Sequence, residues 1–492
     1  MIFLKKREPR FSLFLCPEPS GRDKFLIAFT PKNLDISAYL KDRYRYLPAE
    51  ISVSQDRKIR TFHLSTFGCQ MNLADSSTLT ATLVTRGYRR VADEKDADLL
   101  IFNTCSVREK AEERVLGRLG DVYQYKKKRP HMKIAVVGCM AQRLGEKLRA
   151  DVPYVDYVLG TDRVFELPDV IEGIEGTSPV MTAFGHENMD MIMPSKETSF
   201  SGFVTISRGC DNYCSYCIVP YVRGKERAHS ADQIVSAIGK LADEGVVEVT
   251  LLGQNVNSYR CGDTDFPKLL ERVALETGIQ RVRYMTSHPK DLSERLVDVM
   301  AEQPKVMPHI HLPLQSGSNR VLKRMGRVYT IEHYLKTIEY IRATLDYVSL
   351  TTDLIVGFPS ETEDEYEQTL EAVRTVRFDA AFMFRYSVRP DTAAARFDDD
   401  VPEEEKISRL NRLIKLQQEI GEEQNQREVS QVRHGMVEGY SRRSEQYYRA
   451  RTEGNKIVLF ENECVLEPGV VVPVKITSAD AYTLHGDMMR VN

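Results

Sequence analysis

The chain has 492 residues, of which 42% are hydrophobic and 28% charged, and 68 Lys and Arg against 71 Asp and Glu leave a net charge of -3. At roughly 100–200 residues per domain, this length predicts about three domains. The composition excludes collagen-like, low-complexity and wholly disordered chains. The near-neutral charge excludes a global positive field, so any RNA contact must come from a local patch.

The start of the chain, MIFLKKREPRF, has its charges in the wrong place for a signal peptide. No stretch reaches the ~20 uninterrupted apolar residues of a membrane span. These features predict a cytoplasmic protein without membrane association. In that reducing compartment the nine cysteines are expected to be ligands, nucleophiles or buried thiols rather than structural disulfides.

The first half of the chain changes character near residue 59. Residues 1–58 mix Pro, charge and short apolar runs, which predicts a poorly ordered extension. Over residues 59–177, strand-like runs alternate with helical stretches, the pattern of a parallel α/β sheet with right-handed crossovers. We predict a helix from about Asp75, with Asp75 as its N-cap, and a capping box formed by Ser106 and Glu109.

The second half predicts a barrel followed by a small all-β domain. Residues 178–200 show neither the helical nor the strand period of apolar residues, which predicts a linker. Residues 201–400 contain six strand candidates, each followed by a helical segment, which predicts an incomplete (β/α)6 barrel because a complete one needs eight units. Residues 401–428 predict a connecting helix. Residues 429–492 consist of short alternating runs separated by turn residues and predict a C-terminal β-barrel.

The strongest local signal is a C-x-x-x-C-x-x-C run after the first barrel strand. It contains Cys210, Cys214 and Cys217, called the loop cysteines below. Three thiolates on one short loop can hold three irons of a [4Fe-4S] cluster and leave the fourth iron open. Structural zinc, the first alternative, normally needs four protein ligands, and no fourth lies in register. Incidental buried thiols are the second alternative, and the pattern favours the cluster.

A second set of cysteines is spread along the first domain. Cys69, Cys105 and Cys139, called the sheet cysteines below, each follow a predicted parallel strand. Parallel strands bring such turns together at the carboxyl edge of the sheet, where open α/β sheets bind ligands. A small hydrophobic residue at a strand end explains any one of them, but three in equivalent places favour a second open-iron cluster. Three single cysteines receive no role: Cys16, Cys261 and Cys464.

Polar residues follow several other barrel strands. Gln254 and Asn255 lie in GQNVN, Ser287 in SHP and Gln315 in LQSGSN. Active sites of β/α barrels are built from such strand ends. Each residue could instead satisfy buried backbone groups, and the GFPSET turn could be only a helix cap. As a group, the four residues predict a pocket for cofactor or substrate.

The C-terminal domain contains a basic and aromatic segment, SRRSEQYYRAR. Arginines contact phosphates, and tyrosines stack on unpaired bases. A solvated strand face with barrel aromatics is the alternative interpretation. We predict an RNA-binding surface formed by the following residues: Arg442, Arg443, Tyr447, Tyr448, Arg449 and Arg451.

Together these features resemble the radical S-adenosylmethionine methylthiotransferase family over about residues 60 to 490. The resemblance is carried by both cysteine sets and by TFGCQMN, GCDNYCSYCIVPYVRGKE, LLGQNVNSY, TSHPKD, HLPLQSGSN and TTDLIVGFPSE. The motifs are most similar to those of members that make 2-methylthio-N6-isopentenyladenosine in tRNA. Members acting on threonylcarbamoyl-adenosine or on a ribosomal protein usually read GCKVN or GCPKN, where this chain has Gln70 and Met71.

The resemblance implies a transferase that converts N6-isopentenyladenosine at position 37 of tRNA to its 2-methylthio derivative. It implies two [4Fe-4S] clusters and two molecules of S-adenosylmethionine per turnover. One molecule methylates a sulfur on the auxiliary cluster at the sheet cysteines, and the other is reductively cleaved at the loop cysteines. The implied partners are the tRNA anticodon loop, which a C-terminal TRAM domain would bind, and an electron donor such as flavodoxin or ferredoxin. A monomer is expected.

One loop departs from the family pattern. The family commonly reads Arg-Pro-Gly-Thr after the last barrel strand, whereas this chain has Asp391 between Pro390 and Thr392. Because Gly permits a positive φ or a close backbone approach, cofactor contacts are not carried over to this loop. Two alternative functions remain: a radical enzyme acting on threonylcarbamoyl-adenosine or a protein side chain, and a non-catalytic iron-sulfur RNA-binding protein.

Overall fold

The structure is a computed structural model that describes residues 12–16, 24–28, 59–106, 109–184, 194–462 and 464–489. Strands β1 (Ser12–Cys16) and β2 (Lys24–Ala28) pair in an antiparallel hairpin. This hairpin lies inside the extension that the sequence predicts to be poorly ordered. Its strands form because both runs are apolar and strand-prone. The rest of that extension lies outside the described residues.

A parallel sheet with flanking helices forms the first domain. Its strands are β3 (Thr61–Thr66), β4 (Arg89–Arg90), β5 (Leu99–Thr104), β6 (Lys133–Gly138), β7 (Tyr157–Leu159) and β8 (Val180–Met181). Its helices are α1 (Gln70–Thr85), α2 (Glu109–Lys128), α3 (Cys139–Leu144), α4 (Glu146–Asp151) and α5 (Leu167–Glu172). Among the described residues the strand order is β4-β3-β5-β6-β7-β8, all parallel, which confirms the predicted fold of this domain.

The central strands set the position of the sheet cysteines. Every residue of β5 is buried, and so is every residue of β6 except the first. Their continuous apolar runs are typical of strands in a sheet that is covered on both faces. The register pairs Thr66 with Asn103 and Thr104 with Gly138. Strands β3, β5 and β6 therefore end at one edge, and the turns that follow them are neighbours.

Helix α1 differs from the sequence prediction at its start. It begins directly after Cys69, which is its N-cap, so Asp75 lies inside the helix. The Asp75 carboxylate is buried and accepts hydrogen bonds from Arg208 and Arg223. The N-cap prediction is wrong because distant arginines stabilise this carboxylate, which local sequence cannot reveal. The Ser106 hydroxyl, predicted to cap α2, is buried without a hydrogen-bond partner among the described residues.

The strands of the middle region form an open, curved sheet. They are β9 (Ser195–Lys196), β10 (Ser201–Thr205), β11 (Ser207–Arg208), β12 (Arg227–Ala228), β13 (Glu248–Leu252), β14 (Arg260–Cys261), β15 (Thr264–Asp265), β16 (Arg281–Tyr284), β17 (His309–His311), β18 (Ser349–Val356) and β19 (Ala380–Arg385). Parallel pairing joins β10 to β13 and β13 to β16, and it joins β17 to β18 and β18 to β19. A parallel bridge between Val282 and Val306 connects the two parts. This arrangement confirms the six-stranded incomplete barrel.

Helices cover the outer face of this half-barrel. They come after α6 (Val219–Arg223), which packs against Cys139 of the first domain, and are α7 (Ala231–Asp243), α8 (Phe266–Glu276), α9 (Glu294–Glu302), α10 (Asn319–Arg324), α11 (Ile331–Thr344) and α12 (Glu363–Val376). Alternate strand residues such as Val249, Val282 and Leu350 face these helices and form one apolar core with them. Thr362 and Glu365 form a capping box at α12, so the helix-cap interpretation of the GFPSET turn is confirmed.

The other face of the half-barrel is charged near the amino-terminal end of its strands. The Arg283 Nε lies 2.8 Å from Glu248, and burial together with Arg283 lowers the pKa of Arg281 to about 10. Both arginines donate to backbone carbonyls of residues 451–453, over 2.8 to 3.3 Å. A turn of the C-terminal domain thus closes this end of the half-barrel.

The C-terminal part consists of helix α13 (Glu403–Gln426) and strands β20 (Val432–Ser441), β21 (Ser444–Arg451), β22 (Ile457–Glu461), β23 (Val471–Ala479) and β24 (Thr483–Met488). In this described part the strands close into a barrel of order β20-β21-β22-β24-β23. The predicted small β-barrel is confirmed. Within the described ranges, no helix combines the length and apolar character that a membrane crossing requires.

Candidate active site

The sheet cysteines occupy neighbouring turns at the carboxyl edge of the parallel sheet. Cys69 is the N-cap of α1, Cys105 follows β5, and Cys139 is the first residue of α3. Cys105 and Cys139 are each 2% exposed, whereas Cys69 is exposed. The order of β3, β5 and β6 in the sheet thus places three thiols, one of them open to solvent, around one recess.

Two glycines allow the backbone to pack closely in these turns. A Cβ on Gly68, whose φ is +140, would lie 2.7 Å from the Cβ of Cys105. A Cβ on Gly138, whose φ is +91, would lie 2.5 Å from Oδ1 of Asn103. The Asn72 amide donates to Asn103 Oδ1 over 3.0 Å, and the Asn103 amide donates to the Asn72 carbonyl over 2.8 Å. The turns are therefore fixed by the protein itself.

A buried arginine of the barrel faces the sheet cysteines. The Arg223 guanidinium, on α6, donates to Asn72 Oδ1 over 3.5 Å, and its neighbour Val222 packs against Cys139. Burial raises the pKa of Cys139, and Arg223 opposes this rise because it stabilises the thiolate. The Cys69 thiol donates to Asn72 Oδ1 over 3.2 Å. This edge of the sheet thus combines three thiols with a fixed positive charge.

The loop cysteines follow β11. Cys210 and Cys214 are each 9% exposed, and Cys217 is partly exposed. Burial raises the pKa of Cys210, and burial followed by the charge of Cys214 raises the pKa of Cys217 to about 12. Thiols with so high a pKa are poor free nucleophiles. They become thiolates when a metal displaces the proton.

A second buried arginine contacts the loop cysteines. Arg327 Nη1 lies 3.4 Å from Cys214 Sγ, and its other nitrogens donate to the Tyr329 hydroxyl and the Pro313 carbonyl over 3.0 Å. Hydrogen bonds to ligating sulfur are among the features that set the potential of an iron-sulfur cluster. Sequence reasoning did not single out Arg327, because its segment, KRMGRVY, carries no recognisable pattern.

The two sets of cysteines are physically linked through Asp75. Arg208, just before the loop cysteines, donates to Asp75 Oδ1 over 2.7 Å, and Arg223, just after them, donates to Oδ2 over 3.3 Å. Val222 of α6 also packs against Cys139. Both arginines flank the loop cysteines in the sequence. Their role in linking the two sets of cysteines could have been predicted from this proximity.

The residues predicted to bind cofactor or substrate share an unusual feature. Asn255 donates its amide to Asp291 over 2.7 Å. In each of the four residues, one buried side-chain oxygen lacks a hydrogen-bond partner within the described chain: Gln254, Asn255, Ser287 and Gln315. An unpaired buried polar group costs roughly 1–3 kcal/mol. A polar ligand at the carboxyl ends of the strands would remove that cost.

Other polar residues at these strand ends are used by the fold. Asn257 donates to the His288 carbonyl over 3.0 Å and accepts from the His288 amide over 2.8 Å. Burial lowers the pKa of His288 to about 2, and its ring accepts a hydrogen bond from the Lys290 amide. The ring is therefore neutral at physiological pH and is a helix-capping acceptor rather than an acid.

Left-handed backbone conformations concentrate at the same end of the barrel. Of the eight described non-glycine residues with positive φ, five follow barrel strands: Tyr213, Thr286, Gln315, Ser360 and Asp391. Each such conformation costs on the order of 1–3 kcal/mol and persists where its surroundings enforce it, which is common at ligand sites. Only Asp391 had a sequence signal, namely the departure from the family's glycine.

Asp391 has a φ of +70, and its exposed carboxylate lies 3.8 Å from Arg143. An ion pair this open contributes little stability. We expect Asp391→Gly to raise the free energy of unfolding by about 1 kcal/mol or less, because glycine adopts this conformation without steric cost. Urea unfolding followed by circular dichroism measures the change. Asp391→Ala is the control, since alanine retains the strain, and equal stabilisation by both variants would contradict the argument.

The predicted RNA-binding segment lies on the β20–β21 hairpin. Arg442, Arg443 and Tyr447 are exposed there. Tyr440, which the sequence analysis did not include, lies on the same hairpin and is 47% exposed. These residues combine positive charge and accessible aromatic rings on one surface.

The other members of that segment are placed differently. Tyr448 is 1% exposed, and its hydroxyl accepts a hydrogen bond from the Leu466 amide. Its ring belongs to the apolar core of the β-barrel, which argues against stacking on a base and corrects that interpretation. Arg449 and Arg451 both pair with Glu438, at 3.1 and 2.6 Å. Their charge is thereby partly neutralised.

The cysteine geometry bears on the choice between a zinc ion and a cluster. No three described His, Cys, Asp or Glu side chains are grouped closely enough to hold one metal ion. In a [4Fe-4S] cluster each thiolate binds a different iron, so the ligands need not meet at one point. Two sets of three thiols and unpaired oxygens at the strand ends fit two clusters and a polar cofactor.

Comparison with protein families assigns both cysteine-bearing domains. Residues 61–160 match the model described as "Uncharacterized protein family UPF0004", and residues 204–373 match the radical SAM superfamily. A curated protein of Thermodesulfovibrio yellowstonii, named tRNA-2-methylthio-N(6)-dimethylallyladenosine synthase, is 44% identical over 433 residues, which cover 88% of this chain and 99% of that protein. A protein of the same name from Syntrophomonas wolfei is 45% identical over 89% of this chain and 99% of its own length.

A solved structure resembles the fold at low sequence identity. A radical S-adenosylmethionine methyltransferase from Kitasatospora setae, with cobalamin and a [4Fe-4S] cluster bound, has a TM-score of 0.53 and 13% identity. The match covers 68% of this chain and 77% of that one. This likeness concerns the fold alone.

Proposed function

Because the chain belongs to the family of tRNA-2-methylthio-N(6)-dimethylallyladenosine synthases, we propose that it converts N6-isopentenyladenosine at position 37 of tRNA to its 2-methylthio derivative. The observation that carries this proposal is the linkage of two cysteine triads through one buried contact. Val222 and Arg223 follow the loop cysteines in the chain. Val222 packs against Cys139 of the sheet cysteines, and Arg223 binds Asp75 beside them. Sulfur transfer requires these two centres to serve one substrate.

The enzyme uses two [4Fe-4S] clusters and S-adenosylmethionine. We assign the auxiliary cluster to the sheet cysteines and the radical-generating cluster to the loop cysteines. When bound, these groups supply the one-electron cleavage of S-adenosylmethionine and the sulfur that is transferred. Neither triad has a fourth protein ligand in the described chain, which leaves one iron of each cluster accessible.

The protein's own residues orient and shield these groups. Arg327 donates to Cys214 and fixes that side chain from a buried position. The unpaired oxygens of Gln254, Asn255, Ser287 and Gln315 are acceptors for the polar groups of the cofactor or the adenine. Their burial excludes water from the carboxyl end of the barrel, which protects a reactive radical from side reactions.

The proposed RNA surface is the exposed part of the β20–β21 hairpin, within a TRAM-like domain over residues 429–492. We expect Arg442→Gln/Arg443→Gln to weaken tRNA binding and to reduce the slope of log affinity against log salt by roughly 0.7–0.9 per lost phosphate contact. Binding isotherms at several salt concentrations measure both quantities. Arg374→Gln, which removes an exposed charge from α12, is the matched control and should leave the slope unchanged.

The remaining assignments follow from the chemistry and the domain organisation. Reductive cleavage needs one electron from outside the chain, so an electron donor such as flavodoxin or ferredoxin is a partner. We propose a cytoplasmic monomer with the auxiliary-cluster domain over residues 59–177 and the radical-SAM barrel over residues 201–400. The tRNA anticodon loop then lies across the three domains, and its modified adenine enters between the two cysteine triads.

Mass spectrometry of tRNA nucleosides tests the proposed reaction. Deleting the gene should eliminate 2-methylthio-N6-isopentenyladenosine and leave N6-isopentenyladenosine in its place. Expression of the intact chain should restore the methylthio nucleoside. Loss of a methylthiolated threonylcarbamoyl-adenosine instead, with the isopentenyl nucleosides unchanged, would overturn the substrate assignment and favour the alternative.

A further inference from the structure

The contact between the first domain and the barrel contains an unbalanced buried charge. The side chains of Arg223, Arg208 and Asp75 are 4%, 16% and 1% exposed. Asp75 binds both arginines, one through each carboxylate oxygen. One carboxylate cannot neutralise two guanidinium groups, so one positive charge remains in a site where charges are costly unless paired.

The sheet cysteines are the remaining partner. Arg223 donates to Asn72 Oδ1 over 3.5 Å, and the same oxygen accepts from the Cys69 thiol over 3.2 Å. Val222, next to Arg223, packs against Cys139, and the Asp75 carboxylate lies 3.3 Å from the Arg223 guanidinium. Arg223 and Asp75 therefore bring opposite charges to the sheet cysteines.

We infer that Arg223 is a positioning residue that holds Cys139 in place and raises the reduction potential of the auxiliary cluster, with Asp75 lowering it. This inference rests on the ligand set given under the proposed function. A nearby positive charge stabilises the more negative, reduced form of a cluster, and a negative charge destabilises it. Residues beyond the direct ligands also orient those ligands.

Arg223 also helps to fix the position of the loop cysteines relative to the sheet cysteines. It is the last residue of α6, which begins shortly after the loop cysteines, and it donates to Asn72 Oδ1, to which the Cys69 thiol also donates. Arg208, just before that loop, is attached to the same Asp75 carboxylate. Both ends of the loop segment are thus anchored beside the other triad, which fixes the relative placement of the two sites.

The test isolates the auxiliary cluster. The parent variant replaces Cys210, Cys214 and Cys217 with alanine, so only the sheet cysteines can bind iron. Arg223→Gln, Arg223→Lys and Asp75→Asn are added singly, and reduction is followed by electron paramagnetic resonance as the potential is stepped. We expect a lower potential for Arg223→Gln, a smaller decrease for Arg223→Lys and a higher potential for Asp75→Asn.

Arg227→Gln is the matched control. Arg227 pairs with Asp162 over 2.8 Å across the same interface, and no contact joins it to the sheet cysteines in the described structure. Its removal weakens the interface without changing the charge at the sulfur, so the potential should remain that of the parent. A purely structural role of Arg223 and Asp75 would not produce shifts of opposite sign.

The outcomes separate this inference from the proposed function. A parent variant without about four irons per chain would overturn the ligand set and the inference with it. Iron present with equal potentials in all variants would overturn the inference alone. If Arg223→Gln loses its iron, Asp75→Asn decides the matter, since an unchanged or lower potential in that variant contradicts the inference.

Discussion

Replacing Cys69, Cys105 and Cys139 with alanine should abolish methylthio transfer while leaving the reductive cleavage of S-adenosylmethionine intact. The loop cysteines and the strand-end oxygens belong to the barrel, whereas the three removed thiols belong to the first domain. Sulfur transfer, by contrast, has no other group of cysteines in the described chain to hold a cluster. We expect a loss of product below detection, at a rate of 5'-deoxyadenosine formation similar to that of the intact enzyme.

Iron analysis and product analysis measure this result together. The reconstituted protein should bind about eight irons and the triple variant about four, as two clusters and one cluster require. A variant of the unassigned Cys261, which lies in β14, controls for the general effect of losing a thiol. Methylthiolated tRNA from the triple variant would refute the division of roles.

Replacing Cys210, Cys214 and Cys217 with alanine should abolish both 5'-deoxyadenosine formation and methylthio transfer. Their loop follows a barrel strand, and one of the three thiols, Cys214, contacts Arg327. Without these ligands the barrel holds no iron at which S-adenosylmethionine can be bound and cleaved. The auxiliary site, about four irons, should remain because its ligands come from the other domain.

The two triple variants check each other. Cleavage of S-adenosylmethionine should survive only in the variant that lacks the sheet cysteines. Measuring 5'-deoxyadenosine by chromatography under anaerobic conditions with a strong reductant gives this comparison. If cleavage persisted without the loop cysteines, the assignment of the radical-generating site would be wrong.

The fold was predictable where hydrophobic periodicity decides the structure. The six barrel strands and the main parallel strands of the first domain are runs of continuous or alternating apolar residues, and the structure places strands on all of them. The start of α1 was not predictable, because Asp75 resembles an N-cap in sequence. Its partners, Arg208 and Arg223, lie 133 and 148 residues away. Contacts over such separations leave no local signal.

The site was predictable in its cysteines and less so in their surroundings. Short spacing identified the loop cysteines, and equivalent positions after strands identified the sheet cysteines. Arg327 reaches Cys214 from 113 residues away and was missed. In the β-barrel, successive side chains of a strand point to opposite faces, so one of the two adjacent tyrosines must lie in the core. The sequence alone did not show that this tyrosine is Tyr448.

The closure of the half-barrel by residues 451–453 has a consequence for the order of folding. Arg281 and Arg283 are translated well before the backbone carbonyls that accept their hydrogen bonds, and domains generally fold as they leave the ribosome. Until then the two guanidinium groups have Glu248 as their carboxylate partner. We expect this end of the half-barrel to remain hydrated during synthesis, so that a chain arrested before residue 451 presents an open, charged barrel to chaperones and proteases.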